Sequence, residues 1–244
     1  MSSVNQLLDS TPLLWKGRQP GYGQRALASG HSKLDAQLPG RGWPLGAMTE
    51  LICRNPGLGE FRLLFRVLAD IGEQGQWVIL VDPPWIPYPA TLQGHGLLLE
   101  RLLLVRTRGG RESLWACEQA LRNGRGGAVL AWPEQASFTR LRRLQVAAES
   151  SAKLAFLFRP EAAGRESSPA ALRLQLEPDD RRGTLVRILK CRGNRPSEPI
   201  RIPQSFSAYA KQNPQTGCHA PLAENSINTA VAGHPLSTTA AGPP

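Results

Sequence analysis

The apolar residues of this chain change period several times, and each change marks an element. Met48 to Cys53 is a short apolar run, followed by a Gly-containing turn from Arg54 to Gly59. Phe61, Leu64, Phe65, Leu68 and Ile71 then recur at i, i+3, i+4 spacing. That spacing predicts a helix over Glu60 to Gln74 with one apolar face, closed by Gly72 and Gly75. Gln76 to Val81 is continuously apolar, which suits a strand buried on both faces. Asp82, Pro83, Pro84, Pro87 and Pro89 stop it in an exposed turn that carries Trp85 and Tyr88. Leu97 to Val105 holds a helix end and a third strand. Leu114, Cys117, Ala120 and Leu121 line one side of a helix over Glu112 to Asn123. Ala128 to Trp132 is a fourth strand, Phe138 to Ser151 a further helix, and Lys153 to Phe158 a fifth strand.

Beyond these elements the period falls to two. Residues 161 to 169 are polar and predict no regular element. Ala171 to Glu177 and Thr184 to Cys191 alternate apolar and polar, joined by a turn over Asp179 to Gly183. This is an antiparallel hairpin with one solvated face. Strand–helix alternation followed by a hairpin predicts an α/β fold. Its sheet is mostly parallel, flanked by helices, with a C-terminal antiparallel hairpin. Residues 27–202 form this core. Ahead of the first strand, Ser32 is placed to cap a short helix through Leu38, and Gly40, Gly42, Pro44 and Gly46 make successive turns.

Two flanking segments differ in composition. Residues 1–26 are an apolar arm and a Gly-rich basic linker, and Pro12 limits any helix to the part before it. Leu7, Leu8, Leu14 and Trp15 give the arm a docking face, either for a partner or neighbouring subunit or for its own domain. Residues 203–244 lack apolar periodicity and are rich in Ala, Ser, Thr, Asn and Pro, the signature of a disordered tail.

Charge adds a second theme. The formal net charge is +10, with an isoelectric point near 10.2. Arginine dominates, which suits phosphate and carboxylate contacts. Arg140, Arg142, Arg143, Lys190, Arg192 and Arg195 are the candidates for contact with DNA or an acidic partner; a solvated basic face is the alternative. The four cysteines form no C-x-x-C pair, and Cys53, Cys117 and Cys191 sit in apolar contexts as reduced core residues. No metal or other cofactor is expected. Met1 to Ser10 does not read as a secretory leader, and the apolar window Gly96 to Val105 is too short to span a bilayer. A cytoplasmic location is expected.

The chemistry turns on the stretch from Met48 to Val67. Strand, Gly turn, helix is the layout of a phosphate-binding loop, in which backbone N–H groups face an anion. A working loop reads G-x-x-x-x-G-K-S/T. Here Arg54 and Gly59 hold the two Gly positions, with Gly57 between them, and Glu60 and Phe61 replace the Lys and the hydroxyl. The Lys neutralises the outer phosphates and the hydroxyl holds magnesium; Glu60 repels the first and Phe61 cannot do the second. The strand at Ala128 would end in a magnesium-holding Asp, but Ala131 and Trp132 stand there. Asp82 closes another strand, where a lone Asp before two prolines reads as a turn residue. No ATPase or other enzymatic activity is expected.

The run from Ser29 to Leu51, S-G-H-S-K-L-D-A-Q-L-P-G-R-G-W-P-L-G-A-M-T-E-L, resembles the lead-in to the RecA recombinase core. With the ruined loop and basic charge, W-P-L-G-A-M-T-E-L-I and Leu14-Trp15-Lys16-Gly17 look like the ImuA family of SOS mutagenesis accessory proteins. That family lies in a RecA/SulA-related superfamily. The resemblance covers residues 27–202 and implies a non-catalytic adaptor of translesion synthesis. Its implied partners are an ImuB-like protein (an inactive Y-family-like polymerase) and an error-prone C-family polymerase, with RecA-type contacts and DNA through a basic face. The superfamily also holds the SulA cell-division inhibitors, which bind the tubulin-like division protein. This gives the alternative reading.

Overall fold

Ala47–Cys53 is buried at every position, so it can only be an inner strand. The computed structural model describes residues 25–54, 60–179, 183–191 and 198–203, and the backbone of 228–231. A small ribbon comes first: β1 (Ala26–Leu27) pairs antiparallel with β2 (Trp43–Pro44), around the short helix α1 (Ser32–Asp35). The main elements are β3 (Ala47–Cys53), α2 (Phe65–Glu73), β4 (Trp77–Val81), α3 (Pro89–Gly94), β5 (Leu102–Arg106), α4 (Arg111–Arg122), β6 (Gly126–Ala131), α5 (Phe138–Ser151), β7 (Leu154–Pro160), β8 (Leu172–Asp179), β9 (Gly183–Cys191), β10 (Ile200–Pro203) and β11 (Asn228–Val231).

The sheet runs β10-β9-β8-β3-β7-β6-β4-β5-β11. Neighbours from β8 to β11 are parallel, whereas β9 and β10 are antiparallel to their neighbours. This is the mostly parallel α/β sheet with an antiparallel end that the periodicities predict. Alternation splits the core into two layers. Leu51, Leu80, Leu130, Phe156 and Leu174 pack with Leu64, Leu68 and Ile71 on one side. Met48, Val81, Val129 and Leu157 pack with residues of α4 and α5 on the other.

The lead-in is a folded part of this core. Trp43 is fully buried and meets Phe156 edge-on, with ring centroids 5.3 Å apart. A Cβ on Gly42 would lie 2.2 Å from the Leu27 carbonyl oxygen, so β1 can close against β2 only over glycine. The residue capping α1 is His31, without a side-chain cap, and not Ser32. Asp35 accepts a hydrogen bond from the Ser29 amide instead.

Three segments depart from the expectations. Residues 161–169, expected to be irregular, include a 3₁₀ turn at Glu161–Arg165 with Ala163 buried. Ile200–Pro203 adds a third antiparallel strand to the hairpin. Within the tail, Asn228–Val231 forms a parallel strand beside β5, so the disordered reading does not hold for these four residues. The rest of the tail and the arm lie outside the described residues.

The 3₁₀ turn has a clear role. Glu50 on β3 is fully buried. Its Oε2 accepts from Arg173 Nε of β8 at 2.6 Å, and its Oε1 from Arg159 Nη1 of β7 at 3.4 Å. Arg173 also donates to the carbonyls of Glu166 and Ala163 at 3.0 and 2.5 Å, and Arg159 pairs with the Glu166 carboxylate at 2.9 Å. One carboxylate thus joins three adjacent strands, and the 161–166 segment supplies the acceptors that the guanidiniums need once water is excluded. Removing one partner from such a buried group costs about 3–5 kcal/mol, because it leaves charge without compensation. Glu50→Ala is therefore expected to lose that much stability in urea unfolding. Arg54→Ala, which removes an exposed pair with Glu161 at 3.3 Å, is expected to stay within about 1 kcal/mol of the parent.

Candidate functional site

β3 delivers the chain to the position of a phosphate loop. Arg54 leaves the strand toward Glu161, and residues 55–59, with Gly57 and Gly59, lie outside the described residues. The chain resumes at Glu60 in a 3₁₀ turn, Glu60–Leu63, and α2 starts only at Phe65. The expected helix over residues 60–74 is therefore α-helical only in its later part. Glu60 is 6% exposed.

The two missing functions of the loop turn out to be neighbours. Phe61, in the hydroxyl position, lies parallel to Trp132, in the metal-carboxylate region, with centroids 6.3 Å apart and planes 2° apart. Phe158 of β7, the strand between β3 and β6, joins them. It lies 4.6 Å from Trp132 and 6.4 Å from Phe61. Phe65 meets Phe61 edge-on at 5.6 Å, and His95 stacks on Phe65 at 4.0 Å. At the positions read as the loop hydroxyl and the metal carboxylate, Phe61 and Trp132 lie in one set of three parallel rings with Phe158. A buried carboxylate stands in the place of the Lys.

Phe61, Phe65, His95 and Trp132 of this cluster line a groove of about 920 Å³ at the C-terminal ends of the strands. Ala28–His31 form one wall, the turn carrying Trp85 and Tyr88 another, and the ends of β8, β9 and β10 a third. Asp82 is a turn residue. It has φ +49°, and its two carboxylate oxygens accept from the Thr107 amide at 2.7 Å and hydroxyl at 2.5 Å. Arg106 donates to the Pro83 carbonyl at 2.6 Å. Asp82 thus ties the end of β4 to the end of β5.

The described basic candidates lie on two separate elements. On α5, Arg143 pairs with Glu118 of α4 at 2.8 Å, and Glu118 also takes Arg122 at 3.2 Å. Arg140 lines a shallow 230 Å³ depression with Arg111, Trp115 and Glu118, and Arg142 is exposed. Lys190 lies on β9 opposite Arg173 and donates to the Ser168 carbonyl at 2.8 Å. Arg192 and Arg195 are outside the described residues, as are Leu7, Leu8, Leu14 and Trp15. The Glu118–Arg122 spacing of four residues on a helix was a readable sign of an internal pair. Phe158 and His95 carried no local signal.

Cys53, Cys117 and Cys191 are free and buried. Burial, reinforced by the nearby Glu60 charge, pushes the Cys53 thiol up to about 12. Burial lifts Cys191 to about 11 and raises Cys117 as well. Among the described residues, no group of three or more His, Cys, Asp or Glu could hold a metal. No described helix is long and apolar enough to cross a membrane.

No protein-family model matches the chain. Among curated proteins it is similar to cell division inhibitors named SulA. The relative from Photorhabdus laumondii is 30% identical over 115 residues, which are 47% of this chain and 65% of that protein. The one from Serratia marcescens is 29% identical over 125 residues, 51% of this chain and 72% of its own length. The one from Pectobacterium atrosepticum is 30% identical over 112 residues, 43% and 63% respectively. The chain thus spans a little under two thirds of the first of these relatives. This is homology at low identity, and it fits the SulA-related superfamily.

Two outcomes follow from the geometry. Phe61→Thr restores the loop hydroxyl but opens a hole beside Trp132 and Phe158. It is expected to cost about 3 kcal/mol in urea unfolding and to weaken the near-ultraviolet circular dichroism of the stack. The raised thiols set a pH dependence. Cys53 in the unfolded chain ionises near its usual 9.0, whereas in the folded chain it stays protonated to about 12. Stability is therefore whole below pH about 9 and falls as pH rises toward 12, because only the unfolded state gains the thiolate. Urea midpoints at pH 7.5 and 10.5 are expected to differ more in the parent than in Cys53→Ala.

Proposed function

We propose that this chain is a non-enzymatic protein of the SOS response that acts by binding protein partners. The observation that carries the reading is the stack of Phe61, Trp132 and Phe158, with Glu60, in the place of the loop hydroxyl, metal carboxylate and Lys. An α/β core with its phosphate site closed by side chains keeps its surfaces and loses its chemistry. Such a protein works in the cytoplasm, where DNA-damage partners are found.

Two partner readings differ in support, and the relatives favour the first. The relatives named cell division inhibitor SulA favour a block of septation through binding of the tubulin-like division protein. An ImuA-type adaptor, working with an ImuB-like protein and an error-prone C-family polymerase, is favoured by the lead-in. The run Ser29 to Leu51 carries the resemblance and folds into the core through Trp43. Roughly half of this chain also lies outside each relative's match. DNA contact through the basic face is a separate proposal and rests on Arg140, Arg142, Arg143, Lys190, Arg192 and Arg195.

The test is tagged full-length protein purified from DNA-damaged cells, with parallel expression in undamaged cells. Recovery of the division tubulin, with filamentation on expression alone, supports the inhibitor. Recovery of the inactive polymerase homologue and the C-family polymerase without filamentation supports the adaptor. ATP turnover is expected to match a protein-free control. Turnover abolished by a Glu60 substitution would overturn the shared reading.

A further inference from the structure

We infer that the cleft between α4 and α5 is a binding site for single-stranded DNA. The inference rests on the proposal of DNA contact through the basic face, and it narrows that proposal to one cleft and one form of the ligand. Arg111, Trp115, Glu118 and Arg122 recur every three or four residues along α4, which puts them on one face of the helix. Arg140 and Arg143 of α5 stand opposite, and together the two helices enclose the 230 Å³ depression. Arg142 does not line it. Two positions from Arg140, it points to the other side of α5.

The cleft carries positive charge that its own residues do not cancel. Arg111, Arg140 and Arg143 line it, and Glu118 is the one carboxylate among its lining residues. Glu118 is buried and shared: Arg122 reaches one of its oxygens at 3.2 Å and Arg143 the other at 2.8 Å. A guanidinium has five N–H donors in a planar fork. The side chains of Arg122 and Arg143 stay 52% and 64% exposed. The carboxylate therefore orients these two groups and leaves donors turned outward. Guanidiniums held in a row match a row of phosphates.

Trp115 selects the form of polyanion. Its side chain is 48% exposed and lines the same basic depression. An acidic peptide offers charge without flat groups, and a duplex keeps its bases stacked on one another. An unpaired strand offers phosphates and free base faces together, and stacking of a base on an exposed aromatic side chain is tolerant of sequence. The strand lies along the cleft with phosphates on Arg111, Arg122, Arg140 and Arg143 and a base on Trp115.

The test is fluorescence anisotropy of the full chain with labelled oligo-dT, between about 50 and 200 mM salt. Four phosphate contacts at about −0.7 each give an expected log–log slope of about −3. Arg111→Ala combined with Arg140→Ala is expected to flatten that slope by about 1.4. Trp115→Ala is expected to weaken binding about tenfold with the slope unchanged, and Trp115→Phe to recover most of the loss. Arg142→Ala is expected to match the parent. A second measurement needs no variant: oligo-dT carrying 5-iododeoxyuridine, irradiated with the parent protein, is expected to attach at Trp115. Attachment only outside residues 111–122 and 138–143 would overturn the cleft. Binding that survives the cleft changes but is lost on substitution of Lys190, Arg192 and Arg195 would also overturn it, while leaving DNA contact through the basic face standing. No binding of oligo-dT at about 50 mM salt would overturn both. Tighter binding of duplex DNA or of oligo-U would overturn single-stranded DNA as the ligand. So would poly-glutamate competing charge for charge with Trp115→Ala without effect, which would make the cleft a surface for an acidic protein.

Discussion

The position of β3 depends on a buried carboxylate. Glu50 lies between Arg173 of β8 and Arg159 of β7, and a one-residue slip of any of these strands would turn one of the charged groups to the other face. The register is therefore held by charge as well as by apolar alternation. The cost is desolvation of three ionised groups, offset by mutual attraction and by the carbonyls and carboxylate of 161–166. Arg159 Nε has no partner among the described residues, so the network is close to complete and not fully so. This is how a hairpin that begins on a parallel strand becomes a fixed extension of the sheet.

That registration sets what happens at the strand ends. With β7 held between β3 and β6, Phe158 arrives beside both Phe61 and Trp132. Three rings from three separate segments then become one layer. Glu60, Phe61 and Trp132 stand where the loop pattern would have a Lys, a hydroxyl and an Asp. Together the rings form a packed apolar floor, which is a different kind of surface and one suited to side chains.

The sequence carried the regular elements well where period and punctuation agree. The bounds of α5, Phe138–Ser151, follow from its apolar spacing and the sharp change at Lys153. The parallel strands followed from continuous apolar runs closed by Gly, Pro or Asp. The 3₁₀ turn at Glu60–Leu63 was hidden because an apolar face at i, i+3, i+4 does not separate a 3₁₀ turn from the first turn of an α-helix. Glu161–Arg165 was hidden for another reason: its role comes from Glu50, Arg159 and Arg173, which only strand order brings together. The same holds for Phe158, whose face was predictable and whose neighbours were not. Short pieces such as Pro89–Gly94 and Ile200–Pro203 are too brief to show a period.

The strand at Asn228–Val231 has a consequence for the order of events in folding. It pairs with Leu103 to Arg106, more than a hundred residues back along the chain, and follows a segment that starts at the opposite end of the sheet. Closing so large a loop is entropically slow and is repaid by only a few backbone bonds. The middle of the sheet therefore forms without it, and the outer edge of β5 stays open until late. During synthesis the same edge waits for residues 228–231 to emerge. Until then its unpaired amides and carbonyls are available to other strands, so this edge is where misassociation of the nascent protein would start.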